Sequence, residues 1–207
     1  MNNNFSISNT LRVAVLVAIS ISMLTGCNAT GTRGNNNYAA RINESRELAA
    51  RGQAALRSKD YDEAIKYTQQ AVAVNPDFGA AWNNLGLAFM QRGKDTDYIA
   101  AQQSFQKAAG LLPSDPTPYR NLGLLYQARG FEDDALRNFE NALLVNEYDI
   151  QSLRGATQSI KLLRKADPLT LDRLRKAQMI ETDPKWLEII KRERIRVQNE
   201  LDERAKN

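Results

Sequence analysis

Histidine is absent from all 207 residues, and cysteine occurs once, as Cys27. Without histidine the chain lacks the usual general base near neutral pH, the commonest transition-metal ligand and any Ser–His or Cys–His pair. A single cysteine forms neither an intramolecular disulfide nor a thiolate metal cage. An excess of charge of one sign is also missing: 28 basic against 24 acidic residues leave a net +4. That is too little for the concentrated basic face of a nucleic-acid binder, so no nucleic-acid partner is expected. Long hydrophobic runs are scarce, the exception being Leu11 to Leu24. Paired carboxylates such as Asp133 and Asp134 fall at a helix start, where the helix dipole accounts for them. No convergent catalytic or metal site is legible, and the chain is read as not an enzyme.

What is present is 43% hydrophobic and 25% charged, ordinary proportions for a folded domain. The charge is bipolar. Ser45 to Ile150 holds 11 basic and 14 acidic residues, whereas Lys161 to Asn207 holds 13 basic and 9 acidic. A weakly acidic body and a basic tail steer partners of opposite sign, or the tail toward anionic lipid.

The N-terminus has an order of its own. Met1 to Thr10 is polar, Arg12 brings a positive charge, and the apolar run follows, with Ser20 and Ser22 inside it. As a helix this run rises about 21 Å, short of the roughly 30 Å hydrocarbon core, which fits a signal-peptide core better than a membrane span. It ends in Leu24-Thr25-Gly26-Cys27. This resembles the lipobox of bacterial lipoproteins, where small side chains fit the peptidase and a reachable thiol takes diacylglycerol. The resemblance implies a signal peptide over 1–26, cleavage after Gly26, and diacylglycerol and N-acyl lipid on Cys27. No other cofactor and no metal are expected. Each buried methylene contributes about 0.8 kcal/mol, so two or three acyl chains hold where one dissociates. Asn28, rather than aspartate, follows the cysteine. In a host with two membranes this implies the periplasmic face of the outer membrane. Residues 27–44 read as a lipidated start and flexible tether, with a reach of roughly 17 Å for its polar first ten residues.

The body repeats. Trp82, Leu85, Gly86 and Phe89 are followed by Ala101, Phe105, Ala108 and Pro113. Tyr119, Leu122, Gly123 and Tyr126 are followed by Ala135, Phe139 and Ala142. A weaker copy precedes them, with Leu48, Gly52, Ala55, Ala64, Ala71 and Pro76, in which Arg51 and Thr68 replace the usual leucine and aromatic. Gly52 to Ala64 and Gly123 to Ala135 are 12 residues apart, but Gly86 to Ala101 is 15. The three extra residues fall in Gly93 to Asp97, a turn with room on the surface. These motifs resemble the tetratricopeptide repeat, over Ser45 to Asp149. The resemblance implies an all-α superhelix of helical hairpins, with repeats 45–78, 79–115 and 116–149. Glycine and alanine mark tight helix crossings, and the aromatics fill the gaps between repeats.

Residues 150–166 read as a capping helix, with Ile160 and Leu163 on its apolar side. Residues 167–207 read as two further basic helices, each opened by Asp-Pro. Trp186, Leu187 and Ile190 are expected to fold back on the cap, with Lys191 to Arg196 facing solvent or the acidic body; the alternative is a projecting helix that captures a second chain. The family resemblance further implies a groove lined by first helices. By register it carries Arg46, Ala49, Gln53, Asn83, Asn84, Leu87, Met90, Arg120, Asn121, Leu124, Gln127 and Arg154. Asn84 and Asn121 offer amides to a partner's backbone or are ordinary consensus residues. Arg120 and Arg154 form an incomplete basic cradle, and no carboxylate clamp is expected. The mixture of Leu87, Met90 and Leu124 with amides suits an amphipathic helix or extended strand.

The expected partners are therefore other envelope proteins or peptides, through the groove, and the membrane, through the lipid. Similar repeats stand behind a lipobox in type IV pilus pilotins, tight-adherence pilus lipoproteins and adaptors of cell-wall hydrolases. The resemblance implies a scaffold or assembly factor in pilus or secretion-complex biogenesis. The alternative is an adaptor that presents a protease or peptidoglycan hydrolase with its substrate. On this reading Cys27→Ser abolishes membrane attachment. Cell fractionation checks it, and a serine variant that matures normally and still sediments with membranes refutes the lipid anchor.

Overall fold

The computed structural model describes residues 29–206, with side chains from residue 37. The signal peptide over 1–26 and the lipidation site Cys27 lie outside the described residues. Among the described residues there are nine helices and no strand: α1 (Ala29–Ser58), α2 (Tyr61–Val74), α3 (Gly79–Arg92), α4 (Asp97–Leu111), α5 (Thr117–Ala128), α6 (Glu132–Val145), α7 (Ile150–Leu163), α8 (Pro168–Ile180) and α9 (Pro184–Arg204). None is long and apolar enough to cross a membrane.

The chain divides into two units, Met1–Glu44 and Ser45–Asn207. In the first, the polar stretch read as a flexible tether is helical from Ala29, and residues 37–44 are exposed except for half-buried Ile42. Composition misleads here because helix propagation gains a hydrogen bond per residue once a turn exists, and no proline interrupts α1.

The second unit is a row of hairpins whose boundaries follow local chemistry. Asp60 accepts a hydrogen bond from the Glu63 N–H at 3.0 Å and starts α2, and Asn75-Pro76 ends it. Gly93, at φ +70°, closes α3 in the left-handed conformation that favours glycine. Asp149, Asp167 and Asp183 accept from the N–H groups of Ser152, Thr170 and Lys185 and start α7, α8 and α9. Pro168 and Pro184 take the first helical position, where a missing N–H costs nothing.

Paired helices cross closely at glycine. A Cβ on Gly86 would stand 2.6 Å from Phe105 Cδ1, and one on Gly123 2.6 Å from Phe139 Cε1. Gly155 in α7 presses on the same Phe139 ring from the next helix. Both phenylalanines are fully buried. In the first hairpin the partner of Gly52 is Thr68, whose hydroxyl donates to the Ala64 carbonyl at 2.7 Å. A smaller residue fills the place of the aromatic there, and the core is alanine-rich: Ala49, Ala55, Ala64, Ala71, Ala81 and Ala88 pack with Leu85 and Ile65.

The largest core lies at the C-terminal end. Phe139, Leu153, Ile160, Leu171, Leu174, Ile190 and Val197 form one cluster, with Leu163 packed against it. Helices α8 and α9 therefore fold back on α7. Trp186 and Leu187 are half-buried while Ile190 is fully buried. The solvent-facing expectation for Lys191 to Arg196 holds for Lys191, Arg192 and Ile195 and fails for Glu193, which is buried, and for Arg194 and Arg196, which are half-buried. Arg196 donates to the carbonyls of Arg164 and Lys165, and Arg204 donates to that of Ala166 at 2.9 Å. These carbonyls follow the end of α7, where no intrahelical donor remains, so two guanidinium groups of α9 supply the missing partners.

The glycine crossings give a direct test. Gly86→Leu and Gly123→Leu each lower the unfolding free energy by about 1–3 kcal/mol or more, since the rings they meet are buried on all sides. Gly110, helical with nothing within 4 Å of its Cβ position, is the control. Gly110→Ala raises stability by about 0.5–1 kcal/mol. Denaturant melts distinguish the pair, and equal effects at all three sites would contradict the packing described.

Candidate functional site

Helices α3, α5 and α7 present neighbouring faces, and the groove residues expected from the repeat register divide among different environments. Gln53, Asn84 and Leu87 line one cavity of about 400 Å³ together with Leu56, Arg57, Lys59, Tyr61 and Gln91. Leu124, Gln127 and Arg154 line a second, of about 550 Å³, with Glu132, Gln151, Gly155, Gln158, Leu162 and Trp186. Met90 is in neither. It belongs to a smaller cavity with Phe89, Tyr98, Leu125 and Arg129, and it packs, like Leu87, against the core around Phe105. Arg46 is exposed and lines none of these cavities, and Ala49 is buried in the first core.

The amides are partly committed to the fold. Asn121 is buried, and its Nδ2 donates to Asn83 Oδ1 at 2.9 Å, joining α5 to α3. Asn121 is thus a strut between first helices rather than an open contact for a partner, while Asn84 stays on a cavity wall. Gln127 Nε2 donates to Ser159 Oγ at 3.2 Å, and the Ser159 hydroxyl donates to Glu132 Oε2 at 2.8 Å. This relay holds an acid from the start of α6 beside α5 and α7.

The two arginines expected to form a basic cradle are neutralised within the chain. Arg120 Nη1 donates to Asp149 Oδ1 at 2.8 Å. Arg154 forms a two-pronged pair with Glu181, Nε to Oε2 and Nη2 to Oε1, both at 2.7 Å. The Glu181 side chain is wholly buried, and its Oε1 also accepts from the N–H groups of Thr182 and Asp183. The Arg154 guanidinium lies 5.5 Å from the Trp186 ring centroid, so the pair also sets the position of the indole.

A similar arrangement holds the inserted turn of the second hairpin. Arg92 donates through Nε and Nη2 to Asp97 at 2.8 and 2.6 Å, and through Nη1 to Asp62 at 2.6 Å. Asp97 is buried, and the Lys94 N–H donates to it as well. The extra residues Gly93 to Thr96 are exposed, as expected of a turn with room on the surface, and this carboxylate pins them.

Sequence reasoning missed five participants in the second cavity, Glu132, Gln151, Gly155, Gln158 and Leu162, and placed Trp186 only as an apolar patch. Gln151, Arg154 and Gln158 recur at helical spacing on one face of α7, a signal that was readable. The wall formed by Trp186 was not, because it depends on how α9 returns across α7.

Residues 49–116 match the tetratricopeptide repeat. That match takes in α2, α3 and α4 entire, and the third hairpin has the same architecture beyond it. The TPR domain of Arabidopsis OM64 is 18% identical, with a TM-score of 0.55 over 59% of this chain and 98% of that one. The first TPR domain of human RPAP3 is 17% identical, with the same TM-score over 59% and 94%. The first TPR of Spaghetti (RPAP3) bound to the HSP90 peptide SRMEEVD is likewise 17% identical at 0.55, over 59% and 95%. No curated protein matches the chain. The fold is that of a TPR domain, an all-helical array of hairpins.

Hydrogen bonds from Arg92 and from Arg154 hold the carboxyls of Asp97 and Glu181 below the ordinary carboxylate range, against the opposing effect of burial. Both groups release their protons more readily in the folded chain than in the unfolded one. Their stabilisation is therefore full above the unfolded carboxylate value and is lost as pH falls through the lowered folded values. With no histidine to titrate, thermal midpoints stay level from about pH 8 to about pH 5 and decline below about pH 4. Asp97→Asn with Glu181→Gln flattens that decline. A double variant that keeps the full acid sensitivity would contradict the role given to these pairs.

Proposed function

We propose that this chain is a lipid-anchored scaffold of the cell envelope that binds a segment of another protein along the face of its first helices. The observation that carries the reading is the pair of cavities on α1, α3, α5 and α7, each mixing apolar side chains with unspent amides, on a fold whose repeats serve protein interaction elsewhere. Leu124 is 40% exposed and Leu162 54% exposed, side chains a monomer gains nothing by displaying. The HSP90 peptide in the RPAP3 domain supports a polypeptide segment as the kind of occupant such a face takes. The lipobox supports the envelope, with Cys27 carrying the lipid, and the lack of histidine supports a binding rather than a catalytic role. Within the envelope we assign the chain to assembly of a pilus or secretion complex, on the likeness to lipoproteins that combine these two elements.

Leu124→Asp and Leu87→Asp place a charge on the two cavity walls. Affinity purification of the full chain from detergent-solubilised envelope, with partners identified by mass spectrometry, tests the reading. The partner recovered with the parent chain is expected to be lost with Leu124→Asp while the thermal midpoint moves by only a few degrees. A partner retained by both variants would refute the groove.

A further inference from the structure

The charge of the second cavity is set by a residue outside its wall. Arg154 is the only basic side chain lining it, and the two-pronged pair with buried Glu181 cancels that charge. Asp183 lies a further 4.0 Å from Nη2. The acid on the wall has no such counterpart: Glu132 accepts one hydrogen bond, from the neutral Ser159 hydroxyl, on Oε2. The remaining polar lining is the neutral amides of Gln127, Gln151 and Gln158, and Leu124, Leu162 and Trp186 make up the apolar part. Net charge at the cavity is thus negative, despite the basic composition of the C-terminal helices.

We infer that this cavity selects a basic side chain, lysine or arginine, from an amphipathic peptide segment, and that Glu181 sets this preference by silencing Arg154. The inference rests on the groove reading above and specifies its ligand. The aliphatic stem of the incoming residue lies against Leu124 and Leu162, its cationic head reaches Glu132, and apolar neighbours in the peptide meet the exposed face of Trp186. A volume of about 550 Å³ holds one long side chain with part of a second, within the roughly 300–1,000 Å³ usual for a binding cleft. An acidic segment is disfavoured twice. It meets Glu132, and it finds no cation whose charge is not already matched.

Two variants with opposite expected effects test this. Glu132→Gln keeps the hydrogen bond from Ser159 and removes the charge. Glu181→Gln keeps an acceptor for the Thr182 and Asp183 N–H groups and leaves Arg154 uncancelled. A random-peptide display library is selected on the immobilised full chain, and the enriched peptides are measured by Trp186 fluorescence, in a Trp82→Phe background, against all three forms. Enriched peptides are expected to share a lysine or arginine next to apolar residues. Glu132→Gln should weaken them on the order of tenfold, as a charge-assisted hydrogen bond becomes a neutral one. Selection on Glu181→Gln should shift enrichment toward aspartate and glutamate. Thermal melts confirm that both variants fold, and a variant that does not is replaced by Glu132→Ala or Glu181→Met. Enriched peptides that are acidic, or basic ones indifferent to Glu132→Gln, would overturn this inference and leave the groove reading standing. A library that yields no peptide displaced by Leu124→Asp would overturn both.

Discussion

The contact between a glycine on the first helix of a hairpin and a phenylalanine on the second is the constraint on which the rest of this structure depends. Helices meet across Gly86 and Phe105, and across Gly123 and Phe139, at distances that leave no room for a methyl group. Phe139 is pressed a second time by Gly155, so one buried ring joins the third hairpin to α7. Because α5 and α7 both seat on that ring, their outer faces are held side by side, and Leu124, Gln127 and Arg154 come to share a cavity. Packing of this density does not deform gradually, so the spacing of the face is fixed by the core behind it.

Arginine plays the second structural part. Arg92, Arg120 and Arg154 each tie a first helix to an acid elsewhere, and Arg196 and Arg204 satisfy carbonyls beyond the end of α7. The planar, multi-donor guanidinium suits such bracing, where a lysine would offer a point charge without direction. Much of the positive excess of the C-terminal helices is thus spent inside the fold. Net charge counted along the chain therefore misstates the charge that a partner meets at the groove.

Much of this was legible in the sequence, for physical reasons that also mark where legibility ends. The hairpins are readable because tight crossings demand glycine and alanine at fixed spacing, and the starts of α8 and α9 because Asp-Pro is chemically suited to begin a helix. The fold-back of α9 followed from its apolar residues, which needed a buried place and found it beside Ile160. Pairings across long sequence separations were not readable. Nothing near Arg154 announces Glu181, 27 residues away, and so a neutralised arginine looked like an available one. Asn121 likewise allowed two readings, a contact for a partner or an ordinary consensus residue, because its partner Asn83 stands one repeat earlier. The polar stretch before Ser45 reads as coil from composition alone, whereas its helical form is inherited from the segment that follows.

The central claim is that the face of the first helices, and not the opposite side of the array, receives another protein. Site-specific photo-crosslinking in intact cells tests it most directly, with a benzophenone amino acid placed at Leu124 on α5 or at exposed Lys107 on α4. The account predicts a discrete adduct of higher mass from position 124 and none from position 107. Adducts of equal yield from both positions, or an adduct from 107 alone, would contradict it.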